Sequence, residues 1–346
     1  GGSKIVSVTL CGLAATIESD NCNLVEVLAG DLGAQVTGDV VLTSDTGAIV
    51  SAADAFEYVG AGNITTVSPS AGQAGALVTI QGDSIFGGGE KATVVTLAGL
   101  TAQIVGDATN DTYLVVRASA GPSDLDNRVG SVSITGDTGV TITKLTAWSY
   151  SVIETIEPAV GQGGTQVTMS GQSLTFDDVN VTKVELDGVE ATIVSFNSTM
   201  VIVDAAAITN GNDQAGTAVV TLSNGQTVES VALADGSLVK EFTYKVPGAI
   251  DSVTPSQGQE NTVVVIEGTE LFGQGAALAS VTLAGVEASV TGSNNTYVVV
   301  AAAKSDAVSS GAVVLTADTG AIVSIDTSFE YVAVRHITAV SPASGQ

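Results

Sequence analysis

Basic residues are scarce in this sequence. It has 346 residues, of which ten are Lys or Arg and 36 are Asp or Glu, so the formal net charge is −26. The basic residues are scattered, and no two of them are adjacent. A chain of this charge repels phosphate backbones and anionic membrane surfaces. We therefore expect no nucleic-acid partner. We interpret the acidic surface as a source of solubility, with divalent-cation binding as the alternative.

Long hydrophobic runs are also absent, although 45% of the residues are hydrophobic. The apolar run 298–303 has six residues, whereas a membrane-spanning helix needs about 20. Runs of this length are typical of buried β-strands, so we expect no direct membrane insertion. The chain begins Gly1-Gly2-Ser3 rather than with Met, which indicates a piece of a longer protein whose targeting signals would lie elsewhere.

Histidine and aromatic residues are rare as well. Aromatic residues make up 4% of the chain, so Val, Ala, Leu and Ile must fill its cores. The single histidine, His336, has no cysteine near it in sequence and no evident acid–base partner, and we interpret it as a solvated linker residue. The run Gly87–Gly89 lacks the Gly-Lys-Ser/Thr of a phosphate loop and is predicted to be a turn. We therefore expect a protein that is not an enzyme and has no cofactor.

One sequence phrase recurs four times. It reads Ile-x-x-Val/Ile-x-Pro, and Gly-Gln follows three residues after the proline. Successive prolines are roughly 90 residues apart, which is a period expected of tandem domains. The four copies end in Gly72-Gln73, Gly161-Gln162, Gly258-Gln259 and Gly345-Gln346.

The rest of the unit follows this phrase in a constant order. A strand ending in glycine is followed by an aromatic residue that we expect in the core, at Phe86, Phe176 and Phe272. A Val-x-Leu-x-Gly hairpin comes next, at 8–12, 95–99, 184–188 and 281–285. Strong hairpin-turn sequences follow, at Asp45, Asp137 and Asp318 as Asp-Thr-Gly and at Asn224 as Asn-Gly. Each unit closes with an aromatic-x-Tyr strand, at Phe56/Tyr58, Trp148/Tyr150, Phe242/Tyr244 and Phe329/Tyr331.

This order predicts an all-β fold of tandem immunoglobulin-like β-sandwiches arranged end to end. Each repeat has about seven short strands with turn signals every 8–12 residues, as expected of a two-sheet sandwich. We expect a first repeat at 1–59 without its opening strands, a second at 63–151, a third at 152–246, a fourth at 249–333 and the start of a fifth at 336–346. Short linkers between the repeats favour a semi-rigid array.

The phrase Ile-x-x-Val-x-Pro-x-x-Gly-Gln, with the strands and the aromatic-x-Tyr motif that follow it, resembles the TIG/IPT family. Members include plexins, hepatocyte-growth-factor-type receptors, some transcription factors and secreted surface proteins. The resemblance covers the whole chain and implies an early-set immunoglobulin-like sandwich, but it does not imply one function. The basic DNA-gripping loops of the transcription factors and the many cysteines of the receptors are missing. Long multi-TIG proteins of the cell surface or of fibres are the nearest analogy.

The two cysteines, Cys11 and Cys22, both lie in the first repeat. A bridge closing this short loop would stabilise the repeat by roughly 2–3 kcal/mol. The two residues could lie at opposite ends of one strand, whereas a disulfide needs Cα atoms within about 7 Å. We predict an intrachain disulfide between them, with a bridge to another chain and free thiols as the alternatives.

Five sites match the N-glycosylation sequence Asn-x-Ser/Thr. Three of them fall at the same predicted turn in successive repeats, which favours glycans, although Asn also suits such a turn without one. The five predicted sites are Asn63, Asn110, Asn180, Asn197 and Asn294.

Acidic clusters are the candidates for a calcium site. They lie at Asp177-Asp178, at Asp124/Asp126 and in the Asp-Thr-Gly turns, and none has the spacing of a calcium-binding loop. We keep calcium as an open alternative.

These features favour a structural segment of an extracellular or cell-surface fibre, filament or stalk. The expected partners are neighbouring repeats, copies of the same chain and N-linked glycans. One alternative is an adhesin or ligand-binding module, which the core-type positions of nearly all aromatics disfavour. Another alternative is a spacer of a larger secreted enzyme.

Overall fold

The computed structural model describes residues 2–21, 23–107, 110–122, 127–208, 212–230, 241–333, 339–342 and 344. Within these residues the protein is all-β and contains no helix. The chain divides into two compact units, Gly1–Tyr150 and Ser151–Gln346. The first unit holds the first and second repeats, and the second unit holds the third and fourth.

The first repeat contributes a single five-stranded sheet. Its strands are β1 (Ile5–Leu10), β2 (Leu13–Asp20), β3 (Val25–Leu28), β4 (Val36–Ser44) and β5 (Ile49–Tyr58), in the order β3-β2-β1-β4-β5 across the sheet. Val50 is 69% exposed, and Phe56 and Tyr58 are only partly buried, whereas the corresponding Val323, Phe329 and Tyr331 of the fourth repeat are 1–2% exposed. The first repeat therefore leaves exposed the apolar residues that each complete repeat buries under its own second layer.

The second repeat is a complete two-layer sandwich. Its strands run in the order β6-β8-β11-β10-β9-β12-β13-β7. Their bounds are β6 (Asn63–Ser68), β7 (Ala71–Gly72), β8 (Leu77–Asp83), β9 (Ala92–Leu97), β10 (Leu100–Val105), β11 (Tyr113–Arg117), β12 (Val129–Gly136) and β13 (Thr141–Tyr150). The first half of β10 pairs with β9 and its second half pairs with β11, so this strand crosses from one layer to the other.

The third repeat has the same topology with one additional short strand. Its strands run in the order β14-β16-β19-β18-β17-β20-β22-β15, and the short strand β21, which is not part of this order, pairs with β20. Their bounds are β14 (Val152–Glu157), β15 (Val160–Gly161), β16 (Gln166–Gln172), β17 (Val181–Leu186), β18 (Val189–Phe196), β19 (Met200–Asp204), β20 (Gln214–Leu222), β21 (Thr227–Glu229) and β22 (Glu241–Tyr244).

In the fourth repeat the two layers are separate sheets, because two short strands replace the crossing strand. One sheet has the order β23-β25-β29-β28 and the other has the order β24-β31-β30-β26-β27. The bounds are β23 (Ala249–Thr254), β24 (Gln257–Gly258), β25 (Val263–Thr269), β26 (Leu278–Leu283), β27 (Val286–Glu287), β28 (Ser289–Ser293), β29 (Tyr297–Ala301), β30 (Ser309–Ala317) and β31 (Ile322–Tyr331).

Each complete repeat encloses its own hydrophobic core. The three cores draw buried residues from 64–150, 153–244 and 250–331, so none of them spans two repeats. The closing aromatic-x-Tyr motif lies in each core, because alternate residues of a strand share one face. Its two rings meet edge to face with centroids 5.6, 4.9 and 5.2 Å apart in the second, third and fourth repeats.

The recurring glycine turns have the backbone conformations that tight hairpins require. The residue before glycine in each Val-x-Leu-x-Gly hairpin has a φ near +50°, and the glycine follows with a φ between 72° and 82°. Two successive positive φ values define the type I′ turn, which suits the right-handed twist of paired strands. The residues before glycine are Cys11, Ala98, Asp187 and Ala284.

The predicted core aromatics need one correction. Phe86 is fully buried, as predicted, but Phe176 and Phe272 are only partly buried. The deepest position after the second strand belongs instead to Leu174 and Leu271, both 0% exposed. Each of these two leucines donates its backbone N–H to the carbonyl oxygen of residue 198 or 295, in the turn before the neighbouring strand of the same sheet, and Ile85 makes the matching bond to residue 111. The three repeats therefore share one backbone register at this point, and the same aliphatic position, Ile85, Leu174 or Leu271, is fully buried in each.

Candidate functional site

Three of the five predicted glycosylation sites occupy the same exposed turn. Asn110, Asn197 and Asn294 lie just before β11, β19 and β29. In each turn the Asn Oδ1 accepts hydrogen bonds from the backbone N–H and the hydroxyl of the Thr two residues later, at 2.8–3.1 Å. These bonds give both sequon residues a role in the turn itself. Glycosylation at these sites therefore stays a prediction.

The other two sequons lie at the starts of strands. Asn63 is the first residue of β6, and Asn180 immediately precedes β17. Both residues are exposed, so burial would not obstruct a glycan attached to either of them.

Cys11 occupies the left-handed position of the first hairpin turn. Its Sγ lies 3.3 Å from the carbonyl oxygen of Phe56 and 3.6 Å from that of Val36, and it is a free thiol among the described residues. Cys22 lies outside the described residues. The strand β2, which follows Cys11, has eight residues and spans roughly 23 Å, well above the ~7 Å that a disulfide allows between Cα atoms. The disulfide stays a prediction, and its intermolecular and free-thiol alternatives stay open.

The described residues show no group of three or more His, Cys, Asp or Glu side chains placed to hold a metal ion. Asp124, Asp126 and His336 lie outside the described residues. No helix among the described residues is long and apolar enough to cross a membrane.

The most distinctive site in the second unit is the joint between the third and fourth repeats. The loop between β15 and β16 of the third repeat lies against the Asp-Thr-Gly hairpin between β30 and β31 of the fourth. The N–H of Gln166 donates to the carbonyl oxygen of Thr319 at 2.8 Å, and the N–H of Ile322 donates to that of Gly163 at 3.1 Å. The backbones of the two repeats are therefore hydrogen-bonded to each other.

Gln162, from the recurring Gly-Gln pair, lies at the centre of this joint. Its side chain is fully buried, at 0% exposure. Its Nε2 donates to the carbonyl oxygen of Ile322 at 2.8 Å, and its Oε1 accepts from the N–H of Gly248 at 2.9 Å. One amide thus satisfies a donor in the linker and an acceptor in the next repeat, each of which would be costly to leave unpaired when buried.

The linker between the two repeats is also held at its beginning. Lys245 Nζ lies 2.7 Å from Asp213 Oδ2, and Asp213 Oδ1 accepts the N–H of Val246 at 3.0 Å. The hydrogen bond from Lys245, followed by that from Val246, lowers the pKa of Asp213 below its ordinary value. The third repeat therefore anchors the linker both at Lys245–Val246 and at Gly248.

A cleft of about 890 Å³, with a lining about half polar and half apolar, runs beside the joint. Strands β14 and β16 of the third repeat form one wall, and the Asp-Thr-Gly hairpin of the fourth repeat forms the other. Hydroxyl, amide and carboxylate groups line it, among them those of Thr168, Ser170, Gln166, Glu157, Asp204 and Asp318. This lining could accept and donate hydrogen bonds to a polar ligand, but it contains no aromatic side chain on which a sugar ring could stack.

Comparison with known families decides the classification. Three segments, 63–150, 151–235 and 249–331, match the model of the IPT/TIG domain. The chain belongs to the IPT/TIG domain family. The sandwich topology of its complete repeats agrees with this membership, and it confirms the all-β, immunoglobulin-like fold predicted from the sequence.

Solved structures show a distant likeness to this array of IPT/TIG domains. The Plexin A4 full extracellular region is 17% identical, with a TM-score of 0.39, over 94% of this chain and 27% of that one. SGBP-B of the Bacteroides ovatus mixed-linkage glucan utilization locus, in complex with a mixed-linkage heptasaccharide, is 13% identical, with a TM-score of 0.23, over 75% of this chain and 64% of that one. This chain thus spans about a quarter of the plexin region. A search of curated proteins finds no match. Likeness at this level carries no argument about function.

The Gly-Gln phrase of the IPT/TIG repeats is evident in the sequence, but its role in the joint is not. The signal was available, since the phrase recurs at the same place in each repeat. A motif within one repeat does not reveal which neighbouring element it contacts, so the interface required the structure.

Proposed function

We propose that this array of IPT/TIG domains is a non-catalytic structural segment of an extracellular or cell-surface fibre or stalk. The observation that carries the proposal is the direct joint between the third and fourth repeats. The linker is anchored at both ends, and backbone hydrogen bonds join the two sandwiches, so the orientation of the fourth repeat relative to the third is fixed. A chain of binding modules that act separately would not need such a joint.

Two further features support an extracellular setting. The aligned sequons at Asn110, Asn197 and Asn294 are exposed in every complete repeat, as N-glycans require. The low content of basic residues leaves the surface strongly acidic, which keeps long arrays soluble and apart.

Electron microscopy of the source material, together with small-angle scattering of the purified chain, would test this function. Uniform filaments or stalks that label with antibodies against this chain are expected. Labelling confined to the interior of cells, or to the surroundings of a soluble enzyme, would overturn the proposal.

A second candidate function is recognition of a polar ligand, and the cleft beside the joint favours it. Its hydroxyl, amide and carboxylate lining suits a soluble carbohydrate, although no ring-stacking surface is present. Titration calorimetry with a panel of neutral oligosaccharides tests this candidate, with the variant Thr168→Val, which removes one hydroxyl from the cleft, as a comparison. Saturable binding that weakens in the variant would support it, and an absence of heat across the panel would refute it.

A further inference from the structure

The loop that carries Gly-Gln has the same conformation in the third and fourth repeats. In the third repeat the N–H of Gln162 donates to Thr165 Oγ1 at 3.0 Å, and in the fourth the N–H of Gln259 donates to Thr262 Oγ1 at 2.9 Å. The flanking backbone bonds also correspond, with Gly164 N–H to the carbonyl oxygen of residue 205 and Asn261 N–H to that of residue 302, both at 2.8 Å. The loop is therefore formed by its own repeat, whether or not a neighbouring hairpin lies on it.

What differs between the two loops is the environment of the glutamine side chain. Gln162 is fully buried between two repeats and makes two hydrogen bonds through its amide. Gln259 is exposed. Because the loop backbone is the same, the amide of Gln162 serves the joint and not the loop.

The residue two positions after the glutamine decides how closely a hairpin can approach. Gly164 has a φ of +87°, and a Cβ built on it would lie 2.9 Å from the carbonyl oxygen of Gly320 and 2.9 Å from Ile322 Cγ1. Gly320, with a φ of +85°, shows the reciprocal contact, since its Cβ would lie 2.9 Å from the carbonyl oxygen of Gly164. The fourth repeat has Asn261 at the corresponding position, with a φ of 67°, so a side chain is compatible with the loop but not with this docked geometry.

We propose that Gln162 locks the third and fourth repeats together, and that the absence of a side chain at Gly164 is what allows the fourth repeat to dock. The partner of the Gly-Gln loop is thus the Asp-Thr-Gly hairpin of the following repeat. The docked joint requires Gly at the position of Gly164, because a side chain there would meet the backbone of Gly320. This inference rests on the proposed structural function, because it names the contact through which one repeat orients the next.

The experiment measures the distance between two spin labels in the chain of 346 residues. The labels are placed by Glu190→Cys in the third repeat and Glu287→Cys in the fourth, both at exposed positions, after removal of the native thiols by Cys11→Ala and Cys22→Ser. Alanine is already present at the turn position of Cys11 in the second and fourth repeats. We expect a narrow distance distribution for this labelled parent, since a docked joint holds one orientation.

Two pairs of variants distinguish an effect on the joint from an effect on the loop itself. Gln162→Met keeps the length of the side chain but leaves two buried polar groups unpaired, which shifts a docking equilibrium by roughly tenfold or more. Gly164→Asn introduces the side chain that the fourth repeat already tolerates. Both variants are expected to broaden the distance distribution about twofold or more, as for two domains without a fixed interface. The matched changes Gln259→Met and Asn261→Gly are expected to leave it unchanged.

Circular dichroism and thermal unfolding of each variant establish that its repeats remain folded. A narrow distribution that persists in Gln162→Met and in Gly164→Asn would overturn the proposal, as would a broad distribution in the labelled parent. If the joint behaves as expected but the source material shows no fibre or stalk, the joint stands and the proposed function fails.

Discussion

Replacement of Ile85 by alanine is a direct test of the autonomy of the repeats. Ile85 is fully buried in the core of the second repeat, and the same core contains Trp148, the only tryptophan of the chain. Ile85→Ala removes about three methylene groups, worth about 2.4 kcal/mol in transfer free energy at about 0.8 kcal/mol each. The cavity left behind adds to this cost, so we expect a total loss of about 3–4 kcal/mol in the free energy of unfolding.

The assay is urea unfolding followed by tryptophan fluorescence. Because Trp148 is 1% exposed in the folded repeat, its emission reports specifically on the unfolding of the second repeat. With a denaturant slope of about 1.5 kcal/mol per molar urea, a loss of this size lowers the midpoint by roughly 2 M.

Leu271→Ala is the matched control, since Leu271 occupies the equivalent position in the core of the fourth repeat and is equally buried. It is expected to destabilise the fourth repeat, as measured by calorimetry, and to leave the fluorescence transition of Trp148 in place. A shift of that transition by Leu271→Ala as large as the shift by Ile85→Ala would refute the reasoning that each repeat has a separate core. A loss below about 1 kcal/mol for Ile85→Ala would refute the placement of this side chain.

Three further predictions concern the linker and the sites in the repeats. The pKa of Asp213 is lowered from 3.8 in the folded protein, so this carboxylate stabilises the fold above pH 3.8. That stabilisation is lost as the pH falls through the lower folded-state pKa. Asp213→Asn should therefore make the melting temperature of the third repeat, measured by calorimetry, less dependent on pH below about pH 4. Chain isolated from its natural source should carry hexose and hexosamine on its aligned sequons, and an intact mass equal to that of the bare polypeptide would contradict this. Alkylation without reduction should label neither Cys11 nor Cys22. Labelling of both thiols would show that no disulfide forms, and a dimer that dissociates on reduction would show that the disulfide joins two chains. The aligned sequons of the glycan prediction are those at Asn110, Asn197 and Asn294.

Much of the architecture was predictable because the same motifs recur at the same places in successive repeats. The aromatic-x-Tyr motif was expected in the core from strand alternation, and Trp148, Tyr150, Phe242 and Tyr244 are all buried. The Val-x-Leu-x-Gly sequences form hairpins with the positive φ values that glycine favours. Such features depend on residues close together in the chain, so sequence patterns report them well.

The errors and omissions involve contacts that sequence spacing does not encode. Phe86 and Phe272 follow Ile85 and Leu271 in the same backbone register, yet Phe86 is fully buried and Phe272 is only partly buried, a difference that the sequence pattern did not predict. The sequons aligned as predicted, yet the Asn and Thr side chains bond to each other in the turn, a role that spacing alone did not show.

The fold class, the repeat period and the family can be read from the sequence alone, because they follow from local alternation of apolar residues and from turns made by neighbouring residues. The joint between the third and fourth repeats is visible only in the folded protein. The phrase that contains Gln162 does not state that its amide is buried against a hairpin of the next repeat. The joint depends on the approach of Gly320 to Gly164, two residues 156 positions apart, and a contact over that separation exists only once both repeats have folded.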